Sequence, residues 1–260
     1  MPTRLRVDIA GYHHIINRGV NRCDIFNSDD DKDMFLQILN KSATLHKVIV
    51  HDYCLMDNHY HLLIETIKDN LSIFMRVLNA NYAKYFNKKY KRSGHLFQDR
   101  YKSKYITCED YLYTLIKYIE NNPLEANLSQ RVANYPYTLA HQIFNTKSYY
   151  PCCEESILIK DFDIKTLNEF LGEPITEKEL EYIKIKEKQR VVKQNGGITI
   201  SQSKQFEEHF YDISTKQDRN IAIINAYLDG YSQASIAVYL SLSKSLISKV
   251  VKSGDSFTGV

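Results

Sequence analysis

The chain contains no tryptophan, and its five cysteines, at positions 23, 54, 108, 152 and 153, form no C-x-x-C pair. An odd number of scattered cysteines gives no disulfide framework and fits a reducing cytoplasm. Long apolar runs are missing too. Nothing approaches the roughly 20 residues that cross a bilayer, and the opening MPTRLRVDIAGYHH lacks the apolar stretch of an export signal. The expectation is a soluble, cytoplasmic protein with no membrane partner. With 43% hydrophobic and 25% charged residues the composition is ordinary globular, which excludes disordered, collagen-like and coiled-coil classes. A length of 260 residues allows one to two domains with a proper core.

The chain also has little net charge, +3, but the distribution is uneven. Residues 1–150 hold 20 basic and 15 acidic side chains, against 14 and 16 in residues 151–260. Residues 73–106 carry nine basic side chains and one acid, Asp99, interleaved with Tyr82, Tyr85, Tyr90, Tyr101 and Tyr105. Phosphate-seeking charge mixed with stacking rings suits single-stranded nucleic acid, and equally a solvated helix and hairpin.

Periodicity predicts a strand over Tyr12 to Arg18, then a helix opening at the acidic run after Ser28. Two β-rich stretches, Lys47 to Leu55 and His59 to Glu65, form a hairpin across Met56-Asp57-Asn58. A long helix over about Leu71 to Lys89 precedes a strand-like pair of segments around His95 to Ile106. A third helix runs from about Glu109 to Asn122, where Pro123 is expected to stop it. The order predicts an α+β fold, a ferredoxin-like antiparallel sheet with helices on one side. Beyond residue 140 the expectation is an acidic, mainly helical linker region (141–217). It contains a capping box, Thr176-x-x-Glu179, and a loop with a brief extended piece from Gln194. A strongly helical region (218–253) follows.

The most informative string is Met56-Asp-Asn-His-Tyr-His-Leu-Leu-Ile-Glu65. In a strand His59 and His61 project from one face, where two imidazoles can share a divalent cation or stand as ordinary sheet-surface histidines. In Lys117-Tyr-Ile-Glu-Asn-Asn-Pro123, helical spacing puts Tyr118 and Asn122 on one face. Tyr111 shares that face and Tyr113 is near; spacing does not choose among the three tyrosines.

Together these strings resemble the HUH-type tyrosine transposases of the insertion-sequence 200/605 kind, and within them the REP-associated subgroup. Asn58-His-Tyr-His-Leu-Leu-Ile64 is similar to the family's paired-histidine signature, and Gly94-His-Leu-Phe-Gln-Asp-Arg100 to its Gly-x-x-Trp-Gln-x-Arg segment. Tyr118-Ile-Glu-Asn-Asn-Pro123 is similar to its Tyr-Ile-x-x-Asn-Pro segment, and Tyr12-His-His-Ile-Ile-Asn-Arg-Gly19 to its first strand. The resemblance covers residues 8–140. It departs at Tyr60, where the family has an aliphatic residue, and at Phe97, where it has tryptophan. Tyr60 faces the core, so its phenol needs a partner there.

The resemblance implies His59, His61 and Asn122 as ligands of Mg2+ or Mn2+, and Tyr118 as a nucleophile forming a 5′-phosphotyrosine link. The implied activity is a transposase that cleaves and rejoins single-stranded DNA at hairpins. Expected DNA contacts are Asn17, Arg18, Arg22, Gln98, Arg100, Lys102 and Lys104. Residues Ser232 to Lys252 resemble a helix-turn-helix for duplex DNA, with Ser232 and Ser243 as caps and Ser241 at the usual turn glycine. Lys244, Ser245, Ser248 and Lys249 fall on the exposed face of its second helix; the alternative use is a small bundle for contact with a second copy of the chain. Two further readings are a DNA-binding regulator that no longer cuts and a sheet-surface RNA-binding module.

Overall fold

The computed structural model describes residues 8–194, 197–202, 206–211, 213–229 and 231–254. Strict alternation builds β1 (Gly11–Arg18), with His13, Ile15 and Asn17 on one side and His14, Ile16 and Arg18 on the other. Helix α1 (Asp29–His46) carries Asp29, Asp30 and Asp31 in its first turn, where the helix dipole favours carboxylates. It ends as Lys47 turns into the left-handed region, φ 54°. Strands β2 (Val48–Met56) and β3 (His59–Thr66) form the expected hairpin, followed by α2 (Leu71–Lys89), β4 (Lys102–Tyr105) and α3 (Glu109–Glu125). The antiparallel sheet runs β2-β3-β1-β4, the ferredoxin-like order.

Helices α1 and α2 lie on one face. There the Phe35 ring meets Tyr60 at 4.8 Å between centroids, and the Tyr60 hydroxyl donates to Asn79 Oδ1 at 2.7 Å, the partner a buried phenol requires. Helix α3 takes the opposite face, so the sheet is covered on both sides. It also runs through Pro123 to Glu125 instead of stopping before the proline. Proline removes the donor that would reach the Ile119 carbonyl. The Asn122 side-chain amide takes up that vacancy, donating to the Tyr118 carbonyl at 2.7 Å and to that of Ile119 at 3.5 Å.

In the stretch expected to hold two strand-like segments, only Lys102–Tyr105 is a strand. Residues before it spend their backbone groups on the end of β1: Val20 N–H donates to Leu96 O and Gln98 N–H to Arg18 O. The outer edge of β2 is covered by residues 135–138, through Leu55 N–H to Tyr137 O and a bridge between Cys54 and Thr138.

Helices α4 (Ile164–Gly172) and α5 (Glu177–Glu187) complete this unit. The Thr176 and Glu179 side chains cap α5 reciprocally, as the sequence predicts. Lys117, nearly buried on α3, reaches Glu173 at 3.3 Å and Glu179 at 3.7 Å and lies over the Phe170 ring. These contacts tie α4 and α5 to α3 within a unit that spans Val7–Glu187.

The second unit contains a hairpin, β5 (Gln189–Gln194) with β6 (Gly197–Gln202), where a loop with one short extended piece was expected. Asn195 and Gly196 of that expected loop lie outside the described residues. Helices α6 (Lys216–Leu228), α7 (Gln233–Tyr239) and α8 (Lys244–Gly254) follow, around a core of Ile223, Ala226, Ile236 and Ile247. The chain bends by 118° between α7 and α8. Ser241 adopts φ 54° there, the left-handed conformation that favours glycine. Ser232 and Ser243 hydroxyls accept the N–H groups of Ser235 and Leu246. Among the described residues no single helix is long and apolar enough to cross a membrane.

Candidate active site

The register of β1, β3 and β4 assembles one polar patch beneath α3. Arg18 pairs with His59, Ile16 with both His61 and Lys102, and His14 with both Leu63 and Lys104, and directly paired residues share a face. His14, Arg18, His59, His61, Lys102 and Lys104 therefore occupy the same side of the sheet. The pattern follows from period-two alternation in three neighbouring strands, with no distortion needed at the site.

The paired histidines are held in a defined orientation. The His59 and His61 rings are 5.1 Å apart, and His59 Nδ1 donates to Asn58 Oδ1 at 2.7 Å, which leaves its Nε2 as a lone-pair donor. His61 Nδ1 is 3.0 Å from Nε2 of His14. Burial, then the neighbouring His14 and His59, push His61 well below the usual imidazole range; burial, then Arg18, lower His59. Both rings are thus neutral near pH 7, the form that binds a cation.

The Tyr118 ring stands edge-on to His61, with centroids 5.8 Å apart, and to His14 at 6.2 Å. The two other tyrosines that spacing left open point elsewhere: Tyr113 donates to Asp161, and Tyr111 packs against Tyr182. Burial, then Glu125 and Glu187, raise the Tyr118 phenol above its ordinary value, so it is protonated at neutral pH. Asn122 follows one turn later with its amide nitrogen engaged by the helix carbonyls, which turns Oδ1 away from them. Among the described residues no three His, Cys, Asp or Glu side chains converge as a closed metal site. Two neutral imidazoles and a neutral amide oxygen nonetheless suit a hard or borderline divalent cation that keeps positions for water and phosphate.

Arg18 and Gln98 are brought together at the rim beside His59, by a side-chain bond of 3.2 Å and by the backbone bond between Gln98 N–H and Arg18 O. Gly19 allows this junction: a Cβ there would fall 2.0 Å from the Cys23 carbonyl oxygen. Arg22, Arg100 and Lys102 are exposed. Lys104 is tied to the Glu187 carbonyl at the end of α5. Asn17 lies on the opposite face, 4% exposed, with its Oδ1 accepting the Arg18 N–H. In the second unit Lys244, Ser245 and Lys249 are exposed and Ser248 is half-buried. The two departures from the family pattern meet each other, the Tyr60 and Phe97 rings standing at 90° with centroids 6.2 Å apart.

Two residues at the patch were not anticipated. His14 is fully buried against His61, and Glu187 brings a carboxylate to 3.8 Å from His14 Nδ1. Burial works against that carboxylate's charge, but His14, Lys104 and Lys102 outweigh it and hold Glu187 below the usual range. Alternation in β1 puts His14 in phase with Arg18, a signal open to sequence reading. Glu187 has no local signal.

Residues 9–122 match the family described as IS200-like transposase. A solved structure of a REP-associated tyrosine transposase bound to a REP hairpin is similar at 17% identity and TM-score 0.47, covering 68% of this chain and all of that one. A candidate transposase from Deinococcus radiodurans is similar at 22% identity and TM-score 0.34, over 46% of this chain and 96% of that one. Among curated proteins none matches the chain. Over those residues the class is that of the DNA transposases. Within it, residues 9–122 form a domain of the IS200-like family.

Proposed function

We propose that this transposase cuts and rejoins single-stranded DNA at hairpin sequences, REP-like in kind, with Tyr118 as nucleophile. The observation that carries the reading is the Tyr118 ring set edge-on to His61 at 5.8 Å, beside two histidines whose Nδ1 atoms are already engaged. His59, His61 and the Asn122 amide oxygen would hold Mg2+ or Mn2+. A cation so bound supplies Lewis-acid stabilisation of the charge that develops on the scissile phosphate.

The Tyr118 oxygen attacks the phosphorus and its phenolic proton is released. The bond to the 3′-oxygen breaks, and that oxygen takes up a proton as a free 3′-hydroxyl. A 5′-phosphotyrosine remains and retains the phosphodiester's bond energy, so another 3′-hydroxyl reverses the step with no nucleotide cofactor. Arg18, Gln98, Arg22, Arg100 and Lys102 would bind the strand's phosphates around the patch; Lys104 would join them on release from Glu187, and Asn17 would act from beneath the sheet by fixing the end of β1. With DNA as substrate the working location is the cytoplasm. Incubation with a labelled hairpin oligonucleotide and Mn2+ should give a denaturant-resistant adduct that Tyr118→Phe does not form. An adduct in that variant removes Tyr118 from the role, and no adduct with any metal favours a regulator that binds without cutting.

Helices α7 and α8 form a helix-turn-helix in this reading, with Lys244, Ser245, Ser248 and Lys249 on duplex DNA. The exposed Lys244 and Lys249 on one short helix support it. Replacing both by alanine should weaken duplex binding and reduce the salt slope of log K by about 2. An unchanged slope with an altered oligomeric state would instead make this unit a contact between copies.

A further inference from the structure

We propose that a cavity at the C-terminal end of α3 takes one unpaired base of the DNA strand that reacts at Tyr118. The inference rests on the reading of a single-stranded DNA substrate and adds to it a binding site for a base.

The cavity encloses about 330 Å3, at the lower end of the range for small-ligand sites, with room for one planar ring system. All but one of its lining residues lie beyond residue 122, where the match to the IS200-like family ends. Its walls include Leu124, Val132, Leu171 and Phe144, the last a half-buried ring on which a base can stack. The remaining lining residue is Asn121, three residues after Tyr118 on the same helix. The cavity therefore begins within about one helical turn of the nucleophile.

Asn121 gives the cavity its chemistry. The residue is 5% exposed, and its Nδ2 donates to the Lys117 carbonyl at 2.7 Å. A carbonyl only accepts, so the amide cannot be turned round, and Oδ1 is left as an acceptor with no partner among the described residues. A buried acceptor on the wall of a cavity requires a donor from the occupant. Adenine, cytosine and guanine each carry an amino group that donates; thymine has none. At the rim stand Gln130, Arg131 and Asn168, exposed and with no side-chain partner among the described residues. A guanidinium there suits the phosphate beside the base. An apolar slot with one inward acceptor and a cationic rim matches a base and its phosphate, whereas an apolar peptide side chain would leave Asn121 unpaired.

The test uses full-length protein and a hairpin oligonucleotide with single-stranded flanks, bound without metal and followed by fluorescence anisotropy. Each unpaired nucleotide is made abasic in turn. At one position, loss of the base should weaken binding by about 5- to 100-fold. That position should also bind an amino-bearing base several-fold better than thymine. Gly172 lines the cavity, and a Cβ there meets no atom within 4 Å, so Gly172→Leu should fold and obstruct the slot. This variant should bind as weakly as wild type binds the abasic strand and lose its sensitivity to that position alone. Asn121→Ala should lose the preference against thymine. Circular dichroism confirms that each variant is folded. If no position matters in wild type and ceases to matter in folded Gly172→Leu, the proposal is overturned. Binding of a free deoxynucleoside monophosphate that Gly172→Leu removes, with no such position in the strand, overturns the strand as occupant. The Tyr118 adduct is a separate readout. Coupling between Gly172 and one base without any adduct keeps the cavity and removes the chemistry, and an adduct without coupling does the reverse.

Discussion

The two faces of the sheet are built on different principles. On the side of α1 and α2 the chain packs apolar and aromatic groups, and the buried phenols and the buried carboxylate there are paired: Tyr60 with Asn79, Tyr82 with the Ile25 carbonyl, and Asp31 with Lys89, Tyr85, Tyr90 and the Asn27 N–H, while the atoms left without a partner, His46 Nε2 and Thr66 Oγ1 among them, belong to no carboxyl group. Burial opposes the charge on Asp31, but those four partners outweigh it and hold its carboxyl below the usual range. On the side of α3 the same sheet buries His14, His61, Asp52 and Glu120, and leaves His14 Nδ1, Asp52 Oδ2 and Glu120 Oε2 without hydrogen-bond partners. Unpaired buried polar atoms cost stability. The lesson is that one face provides the stability that lets the other stay chemically unsatisfied.

The contrast breaks most directly at β3, where adjacent residues belong to opposite faces. Tyr60→Ala removes a fully buried ring that touches Phe35 and Phe97 and leaves Asn79 unpaired. Urea unfolding should show a loss of about 3–5 kcal/mol. His61→Ala, one residue along, should cost clearly less while abolishing Mn2+ binding. If His61→Ala destabilises as much as Tyr60→Ala, the division of labour between the faces is wrong.

How much of this was legible in the sequence follows the same division. The strand order, the β2–β3 hairpin and the common face of His59 and His61 are consequences of local alternation and turn residues, and local patterns suffice to read them. The Tyr118 and Asn122 pair was legible as a spacing; spacing left Tyr111 and Tyr113 open beside Tyr118, the family resemblance pointed to Tyr118, and in the fold it is the Tyr118 ring that stands against His61. The end of α3 was misread because proline is a helix stop only when its lost hydrogen bond goes unreplaced, and here the side chain of Asn122 replaces it. Glu187 was invisible because nothing within its own helix signals that its last residue meets β1. The packing of α4 and α5 against α3 was hidden for the same reason, since the ion pairs of Lys117 with Glu173 and Glu179 join residues more than fifty positions apart.

A smaller effect sharpens the comparison through pH. Asp52 sits beyond the bulge in β2, on the same side as His61, and its Oδ1 accepts only the Tyr53 N–H; Glu120, two residues from Tyr118, accepts the Ala140 N–H. Asp52 Oδ2 and Glu120 Oε2 have no hydrogen-bond partner, the charge of each carboxyl opposes that of the other, and two carboxyls this deeply buried share a proton more readily than they both ionise. Burial, then the charge of Glu120, raise Asp52 well above the usual range, and burial pushes Glu120 up to about 7. The ordinary value of a glutamate, as in the unfolded chain, is 4.5. The folded state therefore holds more protons between those values, and its stability should be greatest in mild acid and fall as pH rises from about 4.5 through about 7. The Glu120 part of that fall is about 3 kcal/mol, at 1.36 kcal/mol for each pH unit of difference. Glu120→Gln, with an amide that donates to Asp52 and accepts from Ala140, should flatten it, as urea titrations at pH 5, 6, 7 and 8 would show. The opposite face, with Asp31 held ionised by its partners, contributes the reverse slope only at lower pH, where that carboxylate is protonated. A variant that keeps the wild-type slope between pH 5 and 8 would mean the α3 face stores no such proton, and its unpaired oxygens would need another partner.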